Sequence, residues 1–118
     1  MNNSRYEELP IFMKWMDFLG WFFQVTEKFP KRARHTFVNR MQSIALDIVE
    51  DLVEARYSRS KGAILKRANL RLEKLRVLLR LSFSSTYLSP KAFEQAAKDI
   101  NEVGAMLGGW RKSSNPVP

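Results

Sequence analysis

Arg67, Arg71 and Lys74 recur at intervals of about one helical turn, and Arg76 and Arg80 repeat that spacing on another side of the same segment. Cations at such intervals suit a run of phosphates, because a guanidinium can meet two oxygens at once. The stretch from Arg56 to Arg80 holds nine basic residues, including Arg59, Lys61 and Lys66, and one acid, Glu73. Elsewhere eleven bases meet eleven acids, so this stretch carries the whole net charge of +8. A field concentrated in this way favours a polyanionic partner, most commonly nucleic acid. A face that only kept the chain soluble would mix both signs. The expected phosphate contacts are Arg67, Arg71, Lys74, Arg76 and Arg80, with Lys31, Arg32 and Arg34 as a second cluster.

The residue types needed for catalysis are not arranged for it. His35 is the single histidine, and Lys28, Lys31, Arg32 and Arg34 surround it in sequence. It is expected to lie buried among those cations, which suits neither a metal nor a Ser/His/Asp arrangement. A di-iron bundle needs Glu-x-x-His pairs on facing helices, and the chain has none. An Arg separated from the histidine by four to six intervening residues, as in some helical RNases, is also missing: Lys28, Phe29 and Pro30 stand there. Gly108-Gly109 is read as a helix end or a tight packing point, not as a phosphate loop. Asp47, Glu50, Asp51 and Glu54 form an acidic run. It is expected to be a solvated face, or to pair with the basic segment of the same or a neighbouring subunit. No catalytic site, metal site or cofactor is expected.

Composition narrows the class. A chain of 118 residues that is 45% apolar is expected to form one domain with a real core. It contains no cysteine, so no disulfide framework or thiolate metal site is available. The opening residues lack the apolar core of a signal peptide. Lys14, Asp17, Gln24, Glu27 and Lys28 interrupt the most apolar segment, Pro10 to Phe29, which argues against a bilayer span. A cytoplasmic location is expected.

Four elements must position the cations. Apolar residues recur at about 100° per residue in four segments, and no segment alternates with period two. The first runs from Pro10 to Lys28, with Ile11, Trp15, Phe18, Leu19, Phe22, Thr26 and Phe29 on one face. Pro30 opens the second, which extends to Ser58 and aligns Phe37, Met41, Ile44, Ala45, Ile48, Leu52 and Ala55. The third spans Lys61 to Thr86, with Ile64, Leu65, Ala68, Leu72, Leu75, Leu79 and Phe83 inward; its length of about 26 residues corresponds to about 39 Å. Ser89 caps the fourth and Pro90 takes its first position. Phe93, Ala96, Ala97, Ile100, Val103, Gly104, Leu107 and Trp110 form its apolar face. The small Ala96, Ala97 and Gly104 are expected to allow close approach, against the bulky first helix. Short links join antiparallel neighbours, so the fold is expected to be all-α, an up-down-up-down four-helix bundle over residues 10–112. Residues 1–9 are expected to form an extension and 113–118 a flexible tail.

The third helix has an apolar surplus. Leu70, Val77 and Leu81 form a second stripe away from its core face, and Trp21, Met13, Leu46 and Val53 also point off the core. A contiguous exposed patch usually marks a partner surface. Leu70, Val77, Leu81 and Trp21 are therefore the expected oligomer interface.

Several stretches also carry a resemblance. They are Phe29-Pro30-Lys31 with Arg34, Leu72-Glu73-Lys74-Leu75-Arg76-Val77-Leu78-Leu79-Arg80-Leu81, Tyr87-Leu88-Ser89, and Glu102-Val103-Gly104-Ala105-Met106-Leu107-Gly108-Gly109-Trp110. From Pro10 to Trp110 the chain resembles the accessory variability determinant (Avd) proteins of diversity-generating retroelements. These belong to a four-helix bundle superfamily that includes proteins encoded in ribosomal RNA intervening sequences. The resemblance implies a homopentamer with a positive surface that engages a reverse transcriptase and its RNA. The complex would copy a template repeat into cDNA with errors and so diversify a target gene. Ala105 stands where many relatives carry a basic residue, which argues against a nucleic-acid contact there. Two other readings are an RNA-associated bundle of the intervening-sequence type and an interaction module that binds an acidic protein.

Overall fold

The computed structural model describes residues 10–114. Residues 1–9, the expected extension, and 115–118 of the expected tail lie outside the described residues, whereas Ser113 and Ser114 of that tail belong to the last helix. Four helices account for most of the fold: α1 Pro10–Glu27, α2 Asn39–Tyr57, α3 Gly62–Ser84 and α4 Pro90–Ser114. A 3-10 turn, Lys31–Ala33, and a π turn, Arg34–Val38, lead into α2. Each helix packs on two neighbours, in the cycle α1–α2–α3–α4–α1. Arg67 meets Asp51 while Arg71 reaches Asp47, so α2 and α3 are antiparallel. Arg76 meets Asn101 while Phe83 meets Phe93, so α3 and α4 are as well. The fold is an up-down-up-down four-helix bundle, and among the described residues it contains no strand.

Aromatic residues of α1 fill the core. Trp15, Phe18, Phe22 and Phe29 are buried, and Phe18 stacks with both Trp15 and Phe22. The buried Trp15 indole N–H donates to the Ala45 carbonyl of α2 at 3.0 Å, so its one polar atom is satisfied. Thr26 donates to the Phe22 carbonyl and accepts from Gln42, each at 2.9 Å, which ties the end of α1 to α2. Pro30 stops α1 because it offers no N–H and disfavours helical geometry in the residue before it.

The start of the second helical segment differs from the sequence expectation. The 3-10 turn is overwound and the following π turn underwound, and together they bring both Ala33 and Val38 into the core. In a regular α-helix residues five apart would diverge by about 140°. Phe37, expected inward, is displaced to a half-buried position, edge-on to Tyr87 at 5.4 Å.

Lys61 closes α2. Its ammonium donates to the carbonyls of Ala55 at 2.7 Å and Ser58 at 2.5 Å, satisfying orphan groups at the negative end of the helix. α3 is shorter than expected and ends in a Schellman turn. Thr86 takes φ 66°, and the Tyr87 and Thr86 N–H groups return to the carbonyls of Ser82 and Phe83. At that end Ser82 faces the core, while Phe83, expected inward, is 36% exposed and turns toward α4. Ser89 accepts from the Ala92 N–H at 3.1 Å, the N-cap that the sequence signalled.

α4 departs from expectation at three glycines. It continues through Gly108-Gly109, which neither end the helix nor pack tightly, to Ser114. Gly104 lies against α3 and not α1: a Cβ there would stand 3.0 Å from Arg76 Nη2 and 3.5 Å from Leu72 Cδ2. Among the described residues no helix is long and apolar enough to cross a membrane.

Candidate nucleic-acid interface

The core face of α3 divides its cations into two edges. On the α2 edge, Arg67 and Arg71 converge on Asp51, a carboxylate only 1% exposed. Arg67 donates to Asp51 from Nε at 2.9 Å, and its Nη2 lies 2.8 Å from the same carboxylate. Arg71 Nη1 donates to both Asp51 oxygens, at 2.5 and 2.7 Å. Arg67 also donates to Glu54 at 2.8 Å, and Arg71 lies 4.0 Å from Asp47. Hydrogen bonds to Asp51, then to Glu54, raise the Arg67 pKa above its ordinary value. A buried carboxylate requires such partners, since bare burial of a charge costs several kcal/mol. The acidic run thus pairs in part with the third helix of its own chain, one of the two arrangements expected from sequence.

On the α4 edge the cations have lighter commitments. Arg76 donates to Glu73, one turn away, and to Asn101 Oδ1 at 3.2 Å. Arg80 is exposed and has no polar partner among the described residues. Between the two edges lies the outward stripe, with Leu70, Val77 and Leu81 exposed by 54%, 59% and 48%. Lys66 and Lys74 are also exposed. Lys74 and Val77 border a hollow of about 320 Å³ shared with Arg40 and Ile44 of α2. Met13, Leu46 and Val53 are exposed as expected, whereas Trp21 is half-buried at the α1–α4 seam, 5.9 Å from the Phe18 ring.

The second cluster sits where the chain enters α2. Lys31 is exposed, Arg32 lies over the Tyr87 ring at 5.6 Å, and Arg34 pairs with Glu27 at 3.7 Å. His35 corrects the sequence reading: it is exposed and not buried, with its Nδ1 3.4 Å from Asn39 Nδ2. The π turn rotates it outward while carrying Val38 in. At the opposite end Trp110 borders a cavity of about 400 Å³ with Pro10, Ile11, Arg56, Lys61 and Met106.

The structure therefore brings together four groups of cations with different duties. Lys61 caps a helix, Arg67 and Arg71 neutralise Asp51, Arg76 is braced across α4, and Lys66, Lys74 and Arg80 face outward. Sequence reasoning missed the burial of Asp51. The signal for it was the matched spacing of Asp47/Asp51 with Arg67/Arg71 on consecutive antiparallel helices. Among the described residues no group of acidic or histidine side chains could hold a metal ion.

These features define a four-helix bundle whose charge excess is carried by one helix and its approach. The family model described as bAvd-like matches residues 10–114, which is nearly all of the chain. The chain belongs to that family and is an Avd-type protein. No curated protein matches it.

Proposed function

We propose that the chain is the non-catalytic accessory subunit of a diversity-generating retroelement. It binds the reverse transcriptase and nucleic acid, the template RNA and its cDNA, through the basic surface of a closed oligomer. In that role it supports mutagenic reverse transcription and retrohoming. The observation that carries this reading is an exposed apolar stripe flanked by cations without partners among the described residues. Leu70, Val77 and Leu81 lie outward on α3 beside Lys66 and Lys74. Burying each Leu or Val is worth about 1.5–3 kcal/mol, so three per subunit can support assembly. Repetition of the basic surface around a ring then multiplies weak phosphate contacts. Membership of the bAvd-like family supports the assignment to such a retroelement.

Arg67 and Arg71 enter this surface as structural cations whose outer faces remain accessible. Lys74, Arg76 and Arg80, with Lys31, Arg32 and Arg34, supply its phosphate contacts. The oligomer is proposed to contain five subunits. Light scattering should give one species near five times the 13.8 kDa chain mass. Co-purification with a retroelement reverse transcriptase should depend on that oligomer. Leu70→Glu with Val77→Glu should dissolve both while helix content persists. A monodisperse monomer at tens of micromolar that still captures the polymerase would overturn the oligomeric surface.

A further inference from the structure

A furrow between α3 and α4 combines an aromatic ring, two guanidinium groups and an amide. Buried Leu79 and Ile100 and the half-buried ring of Phe93 line it, together with Arg76, Arg80 and Asn101. Its volume is about 210 Å³. Sites for whole drug-sized ligands span about 300–1,000 Å³, so this one suits a single ring system. Phe93 is backed by Phe83, stacked at 4.6 Å with 6° between the planes, which fixes the ring.

The polar groups are held for contact. Arg76 is braced by Glu73 and by Asn101 Oδ1, and it lies across Gly104, where a Cβ would come within 3.0 Å of its tip. Asn101 uses its carbonyl on Arg76, and among the described residues its amide N–H groups donate to nothing. Arg80 stands exposed at the furrow without a polar partner among those residues.

We propose that this furrow is a subsite for single-stranded nucleic acid. One unstacked base packs against Phe93, the Asn101 amide donates to its edge, and Arg80 and Arg76 hold the flanking phosphates. This rests on the reading that the chain binds nucleic acid, and it specifies the form bound. The outward cations Lys66 and Lys74 meet the phosphates of any strand. An aromatic ring in a furrow rewards only a base that is not already stacked in a duplex.

The test uses fluorescence anisotropy on the full chain across a salt series. The probes are labelled oligouridylate, oligothymidylate and a duplex of equal length, with wild type, Phe93→Leu and Arg80→Gln. Leucine keeps the packing face apolar, and thermal melts followed by circular dichroism report whether each variant folds. Single strands should bind wild type at least about tenfold more tightly than the duplex, and Phe93→Leu should remove about that factor. That variant should leave duplex binding and the salt slope unchanged. Arg80→Gln should lower the single-strand slope by about 0.7. A folded Phe93→Leu protein that binds single strands like wild type overturns the subsite while the nucleic-acid reading stands. If that variant does not fold, a single-strand to duplex ratio near one for wild type overturns it equally. A wild type that binds none of the probes overturns both the reading and the subsite.

Discussion

The two edges of α3 carry arginine pairs of identical spacing and opposite use. Arg67 and Arg71 point toward α2 and close on Asp51, which the bundle has taken almost wholly out of water. Arg76 and Arg80 point toward α4, where they meet one amide and an open furrow, and the acid beside Arg76 is Glu73 of α3 itself. What a guanidinium contributes here is set by what faces it across the helix seam. Opposite a buried carboxylate it belongs to the fold, and opposite an open furrow with no acid across the seam among the described residues it remains available to a ligand.

The largest effect expected from this contrast is on stability. Replacing Arg67 and Arg71 together with Leu strands the Asp51 charge, at a cost of about 3–5 kcal/mol. Arg76→Gln with Arg80→Gln removes only exposed interactions and should cost about 0–1 kcal/mol. Urea unfolding of the two double variants measures both, and equal losses would erase the distinction.

Asp51→Ala tests the same edge from the other side. It should cost about 1–3 kcal/mol through lost hydrogen bonds. It also releases two arginines whose side chains are already 43% and 29% exposed. If they turn outward, nucleic-acid binding should gain up to about 1.4–1.8 in salt slope, from about 0.7–0.9 per contact. A slope that does not change would mean that Arg67 and Arg71 stay folded against α2.

Gly104→Ala probes the α4 edge with a single methyl. A helix interior favours Ala over Gly, so stability should rise by about 0.5 kcal/mol if the flexible Arg76 tip moves aside. Single-strand binding should fall in the same variant, because the methyl displaces the braced guanidinium. Thermal melts and anisotropy together check this; tighter binding would refute the bracing role.

The smallest effect is expected at a surface ion pair. Lys14 on α1 lies 2.8 Å from Glu102 and 3.6 Å from Asp99 on α4. Its hydrogen bond holds the Glu102 carboxyl below its ordinary pKa, and the same bond raises Lys14. Because the carboxyl pKa is depressed on folding, the pair's contribution is complete above the ordinary carboxylate range and fades as pH falls through the folded value. Because the ammonium pKa is raised, the contribution also fades as pH rises beyond the ordinary lysine range. NMR titration of Glu102 should show the depression, and Lys14→Met should remove it with little change in melting temperature. A large loss of stability would place this surface pair with the buried Asp51 cluster.

Much of this molecule is legible in its sequence because helices are periodic. The 100° spacing of Ile11, Trp15, Phe18 and Phe22 marks the inward face of α1. Ser89-Pro90 marks the start of α4, since a side-chain cap and a fixed φ act locally. The outward Leu70, Val77 and Leu81 follow from the same arithmetic. The concentration of cations is a matter of counting. Tertiary structure alone decided what lies across each seam. It put Asp51 under Arg67 and Arg71, turned Gly104 toward α3, and exchanged Phe37 for Val38 through a π turn. It also exposed His35 and set Phe93 beside Arg80. Periodicity fixes the direction of a side chain about its own helix axis. The identity of its partner depends on how two helices are rotated and staggered against each other, a quantity that residues far apart in the chain determine together.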